Sequence, residues 1–288
     1  MKTLVFGPRS YLAQHFLASL PGVSASEADI ADPAAVAAEL DREKPDVVIN
    51  CAGKTGRPNI DWCETHKEET VRGNVTGPLV LLEECGKRGI YWVHLSSGCI
   101  YEGDNGGRGF AETDEPNFHG SFYSRSKIWS DQILREFPTG PEGKGGVLIL
   151  RLRMPFGNEL HPRSLISKIA KYSKVLDEPN SITYLPDFLR AAEVLIAKRA
   201  TGIYHIVNPG ALSPFEIMGM YRDIVDPSHS FERLPVTDLG TVAKTGRSNC
   251  ILSANKLEKE GITMLPVKEA VEQALRAIAA AKREAVVA

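Results

Sequence analysis

Lys2-Thr3-Leu4-Val5-Phe6-Gly7-Pro8-Arg9-Ser10-Tyr11-Leu12-Ala13 reads as a strand, a tight turn and the start of a helix. Lys2 to Phe6 is a short apolar strand that ends at Gly7. Leu12, Phe16, Leu17 and Leu20 then recur at helical spacing as far as Pro21-Gly22. A first strand, a glycine turn and a helix make the phosphate end of a dinucleotide-binding fold. Amides at such a helix start face an anion, and the helix dipole favours it there. On this reading Gly7, Arg9, Ser10, Tyr11 and Leu12 are cofactor contacts. A plain βα turn fits the same residues.

Outward from this turn the chain alternates strand and helix. Asp29-Ile30-Ala31-Asp32-Pro33 follows a short second strand. Asp32 caps a helix running to about Glu43, with Pro33 at its first position. Asp29 and Ile30 are placed to meet the adenine end of a cofactor. Asp46 to Ala52 is continuously apolar, as a buried parallel strand is. Its end, Cys51-Ala52-Gly53, is small enough for a cofactor to lie across it. A long helical pattern spans Ile60 to Lys87, with Val71, Val75, Leu79, Leu82 and Cys85 as its apolar stripe. Asn74 interrupts that stripe; a satisfied core group and a hydrogen-bond post for a site are equally good readings. Tyr91 to Leu95 is the fourth strand. A helix from Ser121 to about Phe137, a Gly/Pro-rich turn over Thr139 to Gly146 and a fifth strand over Val147 to Leu152 follow. This is the rhythm of a Rossmann-like, doubly wound parallel sheet of the α/β class.

After Met154-Pro155 the rhythm changes. His161 to Lys174 is a basic helical segment and Phe188 to Arg199 another helix. Gly202 to Val207 is a short strand returning to the sheet, and Val267 to about Arg283 a closing amphipathic helix. The expected organisation is a dinucleotide-binding lobe of residues 1–155 and 187–210, and a smaller, mostly helical substrate lobe of residues 156–186 and 211–288, with a cleft between them.

Composition narrows the function. The net charge of −2 carries no general nucleic-acid footprint. The five cysteines are scattered, with no CxxC or Cys/His cluster, so no metal site is expected. The N-terminus opens directly into a strand, and no apolar stretch is long enough to cross a membrane. A cytoplasmic setting with free thiols is expected, and no membrane partner.

The chemistry falls between Ser96 and Lys127. Ser96-Ser97-Gly98-Cys99 is delivered to the carboxyl edge of the fourth strand, where open parallel sheets bind ligands. Gly120-Ser121-Phe122-Tyr123-Ser124-Arg125-Ser126-Lys127 then opens a helix. Tyr123 alone of the eight tyrosines has a lysine four residues on. With Ser121 as cap, Tyr123 and Lys127 share one helix face. An ammonium beside a phenol lowers the tyrosine pKa toward neutrality, and such a tyrosine protonates a ketone as hydride arrives. A surface helix with an incidental Tyr-x-x-x-Lys is the plain alternative.

Longer segments sharpen this reading. They are Ala52-Gly53-Lys54-Thr55-Gly56-Arg57-Pro58-Asn59-Ile60-Asp61-Trp62-Cys63-Glu64, Gly98-Cys99-Ile100-Tyr101-Glu102, Pro116 to Ser124, Leu152 to Pro155, Ile166 to Tyr172 and Arg247-Ser248-Asn249. With these the chain resembles the extended short-chain dehydrogenase/reductases, within them the 4-dehydrorhamnose reductase branch, and most of all the nucleotide-rhamnose synthase/epimerase-reductases. The resemblance implies a reductase triad of Ser97, Tyr123 and Lys127. It implies an epimerising pair, Cys99 as base and Lys168 as opposing acid, with His161 a lesser candidate acid. Thr55, Asn74, Ser97, Arg153, Arg247 and Asn249 would contact a nucleotide-sugar substrate carried on UDP or dTDP. Arg9 would meet the 2′-phosphate of NADPH, with NADH also usable. A homodimer through the 60–87 and 121–137 helices is implied as well. The chain departs from the family at the turn, where Ser10 and Ala13 replace glycines. Two other functions fit parts of the sequence. One is a reductase alone, although such relatives usually carry an aromatic at the Cys99 position. The other is a non-catalytic regulatory subunit of the methionine adenosyltransferase type, against which the intact triad argues.

Overall fold

The computed structural model describes residues 1–139 and 144–287. Part of the expected 139–146 turn lies outside the described residues. The chain divides into two compact units. The first is Met1–Ile100, Glu115–Arg151 and Ala192–Tyr204; the second is Tyr101–Asp114, Leu152–Ala191 and His205–Ala288.

Strand β1 (Thr3–Phe6) is followed by α1 (Tyr11–Ser19), β2 (Val23–Ser26), α2 (Pro33–Glu43) and β3 (Val47–Asn50). The cap of α2 forms as the sequence dictates: the Asp32 side chain accepts the amides of Ala34 and Ala35, and Pro33 begins the helix. Next come α3 (Trp62–Thr65), α4 (Lys67–Val71), a π-helical turn (Arg72–Thr76) and α5 (Gly77–Lys87). The single helix expected over 60–87 is therefore broken. His66 leaves helical geometry at φ −126° and ψ 55°, and the π turn carries Asn74 into a network away from the helix. Strand β4 (Tyr91–Ser97), α6 (Phe122–Leu134) and β5 (Val147–Leu152) complete this part.

Beyond it lie β6 (Pro155–Phe156), α7 (Leu165–Ile169), β7 (Lys174–Leu176), β8 (Thr183–Tyr184), α8 (Leu185–Ala197), β9 (Gly202–His205), α9 (Pro214–Ile224), β10 (Glu232–Leu234), α10 (Asn255–Lys259) and α11 (Val267–Val287). Of the basic segment 161–174, only α7 is α-helical. The main sheet has six strands in the order β2-β1-β3-β4-β5-β9. Thr3 pairs in parallel with Val23 on one side and Val47 on the other, and Val47 with Tyr91. The fold is the expected Rossmann-like parallel α/β sheet. Its order turns outward from β1 and β3, so the carboxyl ends of those strands are the topological switch point, where such sheets bind ligands.

Apolar burial follows the two units. Leu4, Phe6, Val48, Trp92 and Ile149 of the sheet form one cluster with Leu40 of α2 and Leu81 of α5. In the second unit Phe156, Ile166, Tyr184, Ile217, Val271 and Leu275 form another.

Candidate active site

Helix α6 is anchored at its first turn. Ser121 caps it, accepting the Ser124 amide at 3.1 Å. Glu64 of α3 accepts the Phe122 amide at 2.6 Å, a carboxylate at the end of the helix where the dipole favours one. Tyr123, Lys127 and Asp131 then follow at four-residue steps and all are buried. Each meets β4 or its neighbour. Tyr123 hydrogen-bonds Ser97, the last residue of β4. Lys127 Nζ donates to the Leu95 carbonyl at 3.2 Å. Asp131 accepts from Ser96 Oγ at 2.5 Å and from Arg151 Nε of β5 at 2.8 Å. The Asp131–Arg151 pair is almost completely buried.

The protonation states differ from the sequence expectation. Burial raises the Tyr123 pKa, negative charge at Cys99 raises it further, and the Ser97 hydrogen bond only partly opposes them. The expected lowering by Lys127 is not what governs the phenol, because the Lys127 amine is turned to Leu95. Burial also lowers the Lys127 pKa, with Asp131 pulling the other way. Cys99 is half-buried beside these groups, and its amide donates to Ser97 Oγ at 3.1 Å. The Ser97 hydroxyl thus bonds both the phenol and the backbone of Cys99.

The turn after β1 suits a dinucleotide. Gly7 has φ +75°, and a Cβ there would lie 2.7 Å from the Ala52 backbone, so the β1 and β3 ends close on each other only with glycine. Ser10 caps α1 by accepting the Ala13 amide at 3.2 Å. The first turn of α1, with Tyr11 and Leu12, holds no acid to repel a phosphate. Arg9 is exposed, 3.6 Å from Glu27. Asp29 is tied down: it accepts the Ala31 amide at 2.9 Å and pairs with Arg72 at 2.8 Å, contacts that hold its carboxyl below the usual range. Ile30 is buried. Cys51 and Ala52 are half-buried and Gly53 is exposed at the end of β3, and burial pushes the Cys51 thiol up.

Asn74 is a satisfied post. Its oxygen accepts the Lys54 amide at 2.7 Å, and its nitrogen donates to the Lys54 carbonyl at 2.9 Å and to Ser126 Oγ of α6 at 3.0 Å. It joins the loop carrying exposed Thr55 to α6, a use in keeping with a π turn beside a candidate site.

In the second unit Arg153 is 1% exposed. Its guanidinium donates to Asn180 Oδ1, to the Ser181 carbonyl, and to the hydroxyl and carbonyl of Ser248. The guanidinium thus ties the 247–249 segment to Asn180 and Ser181. Asn249 accepts from Asn180 at 3.0 Å, and Arg247 donates to the Thr245 carbonyl at 2.9 Å. Lys168 is half-buried on α7, which the Ser164 carbonyl begins by accepting the Lys168 amide. His161 is half-buried before that helix and accepts the Arg163 amide.

Glu64, Asp131, Arg151 and Glu27 join the network only through contacts distant in sequence. An acid at position eight of the Tyr123 face, and an arginine inside an apolar strand, were the available signals.

A parallel, doubly wound sheet with serine, tyrosine and lysine buried at its carboxyl edge defines an extended short-chain dehydrogenase/reductase. A family model described as the RmlD substrate binding domain matches residues 1–280. The chain is 41% identical over 246 residues to the bifunctional dTDP-4-dehydrorhamnose 3,5-epimerase/dTDP-4-dehydrorhamnose reductase of Arabidopsis thaliana, covering 83% of this chain and 79% of that one. The crystal structure of the L780 UDP-rhamnose synthase of Acanthamoeba polyphaga mimivirus matches with a TM-score of 0.90 at 32% identity, over 96% of this chain and 99% of that one. The dTDP-4-dehydrorhamnose reductase of Bacillus anthracis, solved in complex with NADP, shares the fold at a TM-score of 0.80 and 20% identity, over 100% of both chains. The chain belongs to the RmlD substrate-binding-domain family, a family of nucleotide-sugar reductases. Among the described residues no helix is long and apolar enough to cross a membrane.

The raised phenol is directly measurable. The tyrosinate absorbance difference between wild type and Tyr123→Phe, without cofactor, should titrate above pH 10, the ordinary tyrosine value. Cys99→Ala should lower that midpoint and Ser97→Ala should raise it. A midpoint at or below 10 in wild type contradicts the assignment.

Proposed function

We propose that this protein is a bifunctional 3,5-epimerase/4-reductase, converting UDP- or dTDP-4-keto-6-deoxy-D-glucose to the nucleotide-linked L-rhamnose with NADPH. The observation that carries this reading is the Ser97 hydroxyl, hydrogen-bonded to the Tyr123 phenol and to the amide of Cys99. The acid for reduction and the thiol for epimerisation thus adjoin one group.

NADPH, when bound, supplies the hydride. Gly7, Ser10, Tyr11 and Leu12 would hold its pyrophosphate, Asp29 and Ile30 its adenine end, and Cys51, Ala52 and Gly53 would lie along it. Lys127 would bind the nicotinamide ribose. Tyr123 gives its proton to the C4 oxygen while Ser97 holds that oxygen. A raised pKa suits this role, because it keeps the phenol protonated until the oxygen acquires negative charge. The hydrogens at C3 and C5 flank the carbonyl and are acidic. Cys99 as thiolate takes each from one face, and Lys168 returns a proton from the other. The groups that hold O4 for reduction also stabilise the enolate. Thr55, Arg247 and Asn249 would contact the nucleotide sugar, with Asn74 and Arg153 positioning their segments. In this assignment the first unit is the dinucleotide lobe and the second the substrate lobe.

Arg9, exposed in the β1–α1 turn, offers a charge-assisted contact to a 2′-phosphate, which favours NADPH over NADH. We also infer a homodimer through α5 and α6. Trp129, Ile133 and Phe137 stand 40%, 39% and 48% exposed at four-residue steps, a stripe that water alone does not suit.

Three experiments test these readings. Tyr123→Phe should abolish NADPH oxidation while solvent deuterium still enters C3 and C5, and Cys99→Ser should do the reverse. Proton NMR in D₂O follows both; a Cys99→Ser protein that exchanges at the wild-type rate leaves only the reductase reading. Arg9→Ala should raise the KM for NADPH roughly tenfold and leave NADH unaffected. An unchanged preference removes the Arg9 role. Light scattering at micromolar concentration should give the dimer mass, and a monomer mass would end the dimer proposal.

A further inference from the structure

Behind Lys127 in the first unit runs a buried polar chain that the proposed chemistry does not use. The Ala52 amide donates to Asn50 Oδ1 at 3.0 Å. A backbone N–H is only a donor, so this contact fixes the Asn50 amide, oxygen toward Ala52 and NH₂ toward His94. Asn50 Nδ2 lies 3.2 Å from His94 Nδ1. The NH₂ has only hydrogens to offer, so Nδ1 is the acceptor, and the neutral ring carries its proton on Nε2. That nitrogen lies 3.5 Å from Lys127 Nζ, which itself donates to the Leu95 carbonyl at 3.2 Å. Asn50, His94 and Lys127 are 0%, 1% and 5% exposed, so no bulk water reorganises the pattern.

An imidazole N–H aimed at an ammonium sets donor against donor. Aimed at a neutral amine, it meets a lone pair. We infer that His94 is a positioning residue which, held as its Nε2–H tautomer by Asn50, favours the neutral amine of Lys127. The functional weight of this inference rests on the proposed role of Lys127. The other charged or titratable group acting on Lys127 is Asp131 on its own helix, which favours the ammonium. That carboxylate is already shared between Arg151 and Ser96. From β4 the lysine meets His94 and the Leu95 carbonyl. Burial pushes Lys127 down, and burial with the Lys127 charge pushes His94 down, in keeping with a neutral ring. The chain ends on a backbone amide that does not release a proton at neutral pH. It is therefore no proton exit, and its effect falls on the readiness of Lys127.

The test begins on the cofactor-free wild-type protein. Long-range ¹⁵N NMR of the imidazoles should show His94 as the Nε2–H tautomer, and the ¹³Cε signal of labelled lysine gives the Lys127 midpoint. His94→Phe keeps a buried ring but removes the donor, and should raise that midpoint by about one pH unit. His94→Gln, whose amide offers an acceptor to Asn50 and a donor to Lys127, should restore it. An Nδ1–H tautomer in wild type overturns the inference, as does an unmoved midpoint in His94→Phe; should that variant not fold, the wild-type tautomer and the His94→Gln midpoint decide. The pH profile of kcat/KM for NADPH-dependent reduction should shift with the Lys127 midpoint. A midpoint that moves under a fixed profile upholds the His94 contact and counts instead against the catalytic reading of Lys127.

Discussion

Asp131 is the pin on which the candidate site turns. Its carboxylate, 1% exposed, accepts from Ser96 of β4 and from Arg151 of β5. Removing Arg151 would leave that carboxylate buried without its counter-ion, at a cost of roughly 3–5 kcal/mol, whereas removing Ser96 would cost it one hydrogen bond. The arrangement sets α6 against two strands in one register. With Asp131 fixed, Lys127 one turn back reaches the Leu95 carbonyl, and Tyr123 another turn back reaches Ser97. Glu64 and Ser121 hold the free end of the same helix. Six contacts, each polar and directional, thus place a phenol beside the end of β4. Apolar packing alone would leave such a helix able to slide or rotate.

The electrostatics follow from that placement. A buried phenol near a cysteine stays protonated, and burial costs the lysine part of its preference for the ammonium. These two directions suit an acid that releases its proton only as charge develops on a substrate oxygen. They also show why Tyr-x-x-x-Lys spacing by itself says little about protonation. The spacing puts both residues on one face, but burial and the orientation of the amine decide the charges.

Local signals were legible in the chain. The Asp32–Pro33 start of α2, the Ser121 cap, the Gly7 turn and the strand–helix alternation each depend on neighbours a few residues apart. What escaped depends on partners far apart in sequence. The break at His66 and the π turn make sense only with Asn74 bonded to Lys54 and Ser126. Asp131 reads as an ordinary helix-surface acid until Arg151, twenty residues on, is seen to point at it. Arg153 resembles a substrate contact by motif, yet its guanidinium is bound within its own unit. Asp29 is bound to Ala31 and Arg72, while Glu27, the residue after β2, is the acid near Arg9.

In the proposed function one site both inverts and reduces the sugar. The most direct measurement takes the purified wild-type protein, NADPH, and UDP- or dTDP-4-keto-6-deoxyglucose as the sole sugar, and reads the product configuration by proton NMR. Stoichiometric NADPH oxidation and a nucleotide-linked L-rhamnose are the expected result. Oxidation that begins only when a separately epimerised 4-keto sugar is supplied would contradict it.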